Sequence, residues 1–182
     1  MGNEKGFTLS ELLVAMVIAL IVMASGYSMY MSQQKAYEIT ESVSGLQQNL
    51  RAAMFFLERE LRMAGYNPTR ATSGAFTFTN ITATSVTFTT DSETEDGVLG
   101  TGETVTYSFN SADNTLRREA GSGGAQVVAD NITGLSLVYL NKDGGTPASG
   151  ADVRAVDVTL TAQEDTHTRQ SSTRVRCRNM GL

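Results

Sequence analysis

One carboxylate stands where a charge is hardest to keep. Glu11 is followed by thirteen apolar residues in a row, Leu12 to Ala24. An ionised side chain at the edge of such a segment is costly unless it finds a cation or reaches the polar headgroup layer. The rest of the chain offers little chemistry. His167 is the only histidine and Cys177 the only cysteine, so neither an intrachain disulfide nor a cysteine-based metal site can form. No serine or cysteine constellation accompanies His167, which reads as a surface residue beside a turn rather than a catalytic base. The chain is therefore expected to be neither an enzyme nor the holder of a cofactor. Cys177 alternates with Val175 and reads as a small buried hydrophobe. The acidic stretch 91–97 supplies Asp91, Glu93, Glu95 and Asp96 as the one candidate set for Ca2+. It lacks the spacing of an EF-hand loop, and a solvated acidic loop is the preferred reading.

Periodicity shows which elements hold these residues. The 182-residue chain carries 14 Lys+Arg against 19 Asp+Glu, a net charge of -5, and nothing in that balance suggests a nucleic-acid surface. Residues 7–31 are long and apolar enough to cross a hydrocarbon core of about 30 Å. Lys5, on the leader side, predicts that the leader stays cytoplasmic and the bulk of the chain crosses. A secretory signal peptide fits poorly, because the apolar run passes through Ser25, Gly26 and Tyr27 into further helical sequence rather than into a cleavage site. No proline occurs between Phe7 and Tyr66. Ile39, Val43, Leu46, Leu50, Ala53, Leu57, Leu61 and Ala64 recur at spacings of three and four, one apolar stripe of an amphipathic helix. One helix from Phe7 to Ala64 is predicted, stopped by Gly65 and Asn67-Pro68. Phe55, Phe56, Arg59 and Arg62 lie off that stripe, and Glu58 is spaced to pair with Arg62. From Ala75 onward the period becomes two, in AFTFTN, TSVTFTT, ETVTYSF, GLSLVYL, VDVTLTA and STRVRCR. The expected fold class is α+β: an antiparallel β-sheet packed on the stripe of residues 39–64.

The segment KGFTLSE ahead of the apolar run resembles the class III signal of type IV prepilins and type II secretion pseudopilins. The matching parts are Lys5, Gly6, Phe7, Thr8-Leu9 and Glu11. The resemblance implies a pilin-like fold and a membrane peptidase that cuts between Gly6 and Phe7 and N-methylates Phe7. It implies that Glu11, fifth in the mature chain, pairs with the terminal amine of a neighbouring subunit. Before the cut Glu11 has no nearby positive partner; after it a cation lies within one helical turn, and such a pair in low dielectric is favourable only if its geometry is good. The implied division is a cleaved leader at 1–6, a transmembrane segment at 7–31, an amphipathic continuation at 32–64 and a β-rich pilin domain at 65–182. On this reading Phe55, Phe56, Arg59 and Arg62 are candidate filament contacts.

A single cysteine forbids the C-terminal disulfide loop typical of major pilins. The helix end, Leu61-Arg62-Met63-Ala64-Gly65-Tyr66, and the late strand, Arg176-Cys177-Arg178-Asn179, resemble the PilW family of minor pilins and, more distantly, the GspJ pseudopilins. That resemblance implies a low-abundance subunit that primes pilus assembly near the tip. The implied partners are the prepilin peptidase, other minor and major pilins, the inner-membrane assembly platform, membrane lipid before assembly, and a large tip adhesin. The implied location is the inner membrane first and the pilus surface later. A type II secretion or competence pseudopilin, and an adhesive pilin module that binds a surface, are the alternatives.

Overall fold

The computed structural model describes residues 6–70 and 76–181. Helix α1 runs unbroken over Leu9–Met63, as a stretch free of proline allows. The chain divides between Ser42 and Val43 into two compact units. In the first, α1 is exposed along its whole length: Leu12, Val14, Ile18 and Ile21 are all more than half exposed. It is the one helix among the described residues that is long and apolar enough to cross a membrane.

In the second unit α1 is one-sided. Leu46, Leu50, Ala53, Met54, Leu57 and Leu61 are buried, and the turn after the helix places Gly65 at φ +75. That left-handed turn suits glycine, and a Cβ there would meet Met180 Sδ at 2.6 Å. The stripe expected over residues 39–64 is buried only from Leu46; Ile39 is 48% exposed. Periodicity marks which face of a helix is apolar, not how far along it the covering element extends.

Among the described residues eight strands follow, all antiparallel and in consecutive order. They form two sheets rather than the single sheet expected. The five-stranded sheet contains β1 Phe78–Ile81, β2 Ser85–Thr89, β3 Thr104–Asn110, β4 Thr115–Ala120 and β5 Gln126–Ala129. The three-stranded sheet contains β6 Ile132–Leu140, β7 Ala155–Glu164 and β8 His167–Arg176. Strands β4 and β5 escape the sequence pattern: TLRREA buries only Thr115 and Leu116, and QVVA is four residues long behind a glycine run. Strand β7 follows the period-two expectation, with Val156, Val158, Leu160 and Ala162 buried and paired between β6 and β8. Both sheets and the second half of α1 share one apolar core, in which Val86, Phe88, Tyr107, Leu116, Ile132 and Val175 are fully buried.

Polar contacts fix how this core is assembled. Glu60 on α1 accepts the hydroxyl of buried Tyr107 at 3.0 Å and Nε of Arg118 at 2.9 and 3.0 Å, tying the helix to β3 and β4. Beyond the helix, Gly65 N–H donates to Thr89 O and Tyr66 O accepts from Asp91 N–H, which fastens the turn to the end of β2. The edge of β1 is covered by the 3-10 turn Gly150–Asp152, where a Cβ at Gly150 would collide with Phe78 O.

Candidate functional site

Nothing in the described fold requires a glycine at position 6: Gly6 is exposed, and a Cβ there would meet no atom within 4 Å. Phe7 follows, 86% exposed. Lys5 lies outside the described residues. Helix α1 begins two residues after Phe7 with a capping box that sequence reasoning missed. Thr8 donates its backbone N–H (2.9 Å) and its hydroxyl (2.8 Å) to Glu11 Oε2, and the Glu11 N–H reaches back to Thr8 Oγ1 at 3.4 Å. This reciprocal arrangement satisfies donors that a helix N-terminus otherwise leaves unpaired. It also puts a carboxylate where the helix dipole favours one. The signal was available as Thr8-Leu9-Ser10-Glu11, a Thr-x-x-Glu directly before an apolar run. Glu11 was expected to lack a nearby positive partner in the uncut chain; among the described residues it has a neutral one, Thr8, on a single oxygen.

The outer face of α1 in the second unit carries Phe55, 60% exposed, and Phe56, 44% exposed, with ring centroids 6.0 Å apart and edge-to-face. Arg59 and Arg62 are exposed as well, and Arg62 pairs with Glu58 one turn before it. These four residues thus share the face turned away from the core. The two end motifs, whose bonded residues Arg62 and Asn179 are 117 apart in sequence, meet in space. Asn179 Nδ2 donates to Arg62 O at 3.3 Å, and Met180 packs over Gly65.

The four candidate Ca2+ ligands are not brought together, and among the described residues no group of three or more Asp, Glu, His or Cys side chains is placed to hold a metal. Asp91 is fully buried, and its Oδ2 accepts the Gly97 N–H at 2.8 Å. Glu95 turns to the Tyr66 hydroxyl at 3.5 Å, and its charge raises the Tyr66 pKa. Asp96 caps the N–H of Val98, and Glu93 is exposed. The missed residue is Glu103, just ahead of β3 and 1% exposed. The parity of Glu103, Val105 and Tyr107 would have placed it on the buried face. Hydrogen bonds hold its carboxyl below the usual range, the Gly100 N–H first among them.

Cys177 is buried just past β8, and burial pushes its thiol up to about 12. A thiol so protonated is a poor nucleophile, as its reading as a buried hydrophobe implies. His167 opens β8 next to the turn at 165–166, half-buried.

Two family models match this chain. Residues 1–27 match the prokaryotic N-terminal methylation motif, and residues 40–177 match prepilin peptidase-dependent protein B. Over 62 residues the chain is 39% identical to the pilin-like protein PilA3 of Thermus thermophilus. That stretch is 34% of this chain and 27% of PilA3.

Proposed function

The chain belongs to the family of prepilin peptidase-dependent protein B, and on that premise we propose that it is a minor pilin that takes part in type IV pilus assembly. At the coarser level it is a type IV prepilin-like protein with a structural rather than a catalytic role. The finer proposal is that prepilin peptidase cuts between Gly6 and Phe7, releasing residues 1–6, and N-methylates Phe7. Residues 7–31 then hold the subunit in the inner membrane, with the domain after residue 65 beyond it, until it enters the filament. The resemblance of the helix-end and C-terminal motifs supports the PilW-like subclass, with a role in priming or at the tip beside other pilins and an adhesin.

One observation carries the reading. A glycine that the fold does not need precedes an exposed aromatic residue and a capped helix whose first, apolar half is exposed. A residue type without a structural reason at its place fits recognition by another protein, and a capped helix start delivers the scissile bond in a defined setting. On this reading Glu11 Oε1 meets the methylated amine of a neighbouring subunit while Oε2 keeps its bonds to Thr8; a carboxylate has lone pairs enough for both. Phe55, Phe56, Arg59 and Arg62 then face neighbouring subunits.

The test is Gly6→Val in cells that express the peptidase. The expected product is a membrane-held precursor six residues longer than the mature chain, with Phe7 unmethylated by mass spectrometry. Mature-length, methylated protein from that variant would refute the proposed cut.

A further inference from the structure

Among the described residues the two sheets have four outer strands, β1, β5, β6 and β8. An open edge presents unpaired N–H and C=O groups to any strand that approaches. Three of these edges are blunted. The 3-10 turn Gly150–Asp152 covers β1. Strand β5 is four residues long and joins β4 through an irregular register. The turn between β1 and β2 closes the free side of β6: Leu137 N–H donates to Ala83 O at 2.8 Å, and the Tyr139 hydroxyl to Thr82 O at 2.9 Å. Strand β8 differs. It is ten residues long without a proline, and it pairs with β7 in an unbroken register from Ala155↔Arg176 to Glu164↔His167. Cys177 N–H donates to Arg154 O, so the odd-numbered residues here turn their backbone groups to β7 and the even-numbered ones turn theirs outward. Arg169 Nη1 donates to the outward carbonyl of Thr168. Among the described residues no hydrogen bond reaches the outward backbone groups of Gln170, Ser172, Arg174 and Arg176.

We propose that the open edge of β8, residues 170–176, takes an added strand from a partner protein: an extended segment with acidic side chains at alternate positions. Charge names the occupant. Residues 166–182 hold Arg169, Arg174, Arg176 and Arg178 and no Asp or Glu, in a chain of net charge -5. Arg174 already meets a carboxylate across the ladder, Asp157 of β7 at 2.6 Å. Arg176 lies on the same wet face opposite Ala155 and has no such partner among the described residues. A carboxylate on an incoming strand would give it one, the cross-strand pairing that stabilises sheets. The inner side of β8 is unfinished as well. Val158 and Leu160 of β7 are fully buried, whereas Thr173 and Ser171 opposite them are only half-buried. The alternate side chains of a further strand would cover that lip. A second copy of β8 is the wrong occupant, because it would set arginines against arginines. In such strand addition main-chain hydrogen bonds supply affinity and alternate side chains supply selectivity. The surface lies wholly in the second unit and does not depend on the proposed cut at Gly6.

The experiment uses the isotope-labelled full chain in detergent micelles, with a blocked decapeptide of alternating Glu and Val as the probe. At saturation the peptide should slow hydrogen exchange at the outward amides of Gln170, Ser172, Arg174 and Arg176 about tenfold or more. Its counterpart of alternating Lys and Val should leave them unchanged. Ser172→Pro removes an outward N–H, a change that an edge strand tolerates, and should abolish binding. Arg176→Glu turns an attractive cross-strand pair into a repulsive one and should weaken binding roughly tenfold. If Ser172→Pro fails to fold, the Glu-Val peptide methylated on its backbone nitrogens tests the same main-chain bonds against the native chain, and it should not bind. No slowed amides at millimolar Glu-Val peptide overturns the proposal. So does equal binding of the Lys-Val or methylated peptide, or undiminished binding by either folded variant. Slowing that grows with protein concentration and needs no peptide makes the occupant a second copy and overturns it too. Processing at Gly6 is untouched by these variants, so failure here leaves the assembly reading standing.

Discussion

Glu60 is the polar hinge between helix and sheet, and Glu60→Ala should be among the most damaging single changes outside the apolar core. The Tyr107 hydroxyl it accepts belongs to a fully buried side chain. Losing the acceptor strands that hydroxyl, at about 1–3 kcal/mol. The Arg118 side chain is 32% exposed and can turn to water, so the ion pair itself adds only about 0–1 kcal/mol. The expected loss is about 2–3 kcal/mol, a Tm drop of about 4–12 °C for a chain of this size. Tyr107→Phe removes the hydroxyl together with its need for a partner and should lose about 1 kcal/mol. The double variant should then fall short of the summed losses by about 1–2 kcal/mol, because the stranded hydroxyl is gone. Urea unfolding of the four proteins in detergent, followed by near-ultraviolet circular dichroism of the tyrosines, measures the cycle. Additive losses, or a Glu60→Ala loss under 0.5 kcal/mol, would refute the claim that this contact joins α1 to β3.

The same tyrosine sets an alkaline limit. Burial raises the pKa of Tyr107 and of Tyr139, and the nearby Glu60 charge raises Tyr107 further. The folded state therefore holds both protons more tightly than the unfolded chain, whose tyrosines titrate near pH 10. Stability from this source is complete below about pH 10 and is lost as pH rises beyond it; Tyr107→Phe should flatten that decline in unfolding curves taken from pH 9 to 11. Gly65→Ala should destabilise the domain by about 1–2 kcal/mol, since a residue with φ +75 becomes left-handed alanine and its Cβ presses on Met180. An unchanged urea midpoint would show that Met180 and the turn relax freely.

The parts legible in the sequence were those governed by one strong period or one short signal. Helix α1 ends at Met63, one residue short of the predicted Ala64, because a proline-free stripe and a following glycine are local features that tertiary context did not override. Six of the eight strands were visible because alternation separates a wet face from a dry one. Strand β4 was invisible because its inward charge, Arg118, is matched by Glu60, 58 residues earlier. A pattern scored on polarity reads such a half-buried pair as surface. The parity of Glu103 was readable but its partners were not: they are the backbone N–H groups of residues 94 and 100 and the carboxyl of Asp91, which no composition rule anticipates. Sheet number was illegible too, since the break between β5 and β6 lies in a single turn at Asp130-Asn131, where Asn131 takes φ +58.

Glu11 has a local partner that its expected role did not include. Sequence reasoning marked it as a charge in need of a cation, and the fold supplies Thr8 instead. Both Thr8 donors survive the proposed cut, because hydrolysis of the Gly6–Phe7 bond leaves the Thr8 amide and hydroxyl intact. The cap therefore does not switch between precursor and mature subunit. What switches on this reading is the partner of Oε1, which after assembly is a neighbour's amine. A neutral cap lowers the energy of the lone subunit in the membrane, and it orients the carboxylate toward the amine it has yet to meet. On the proposed reading, holding the acid in place while leaving one oxygen open would let a single glutamate tolerate the apolar segment and still favour the assembled state.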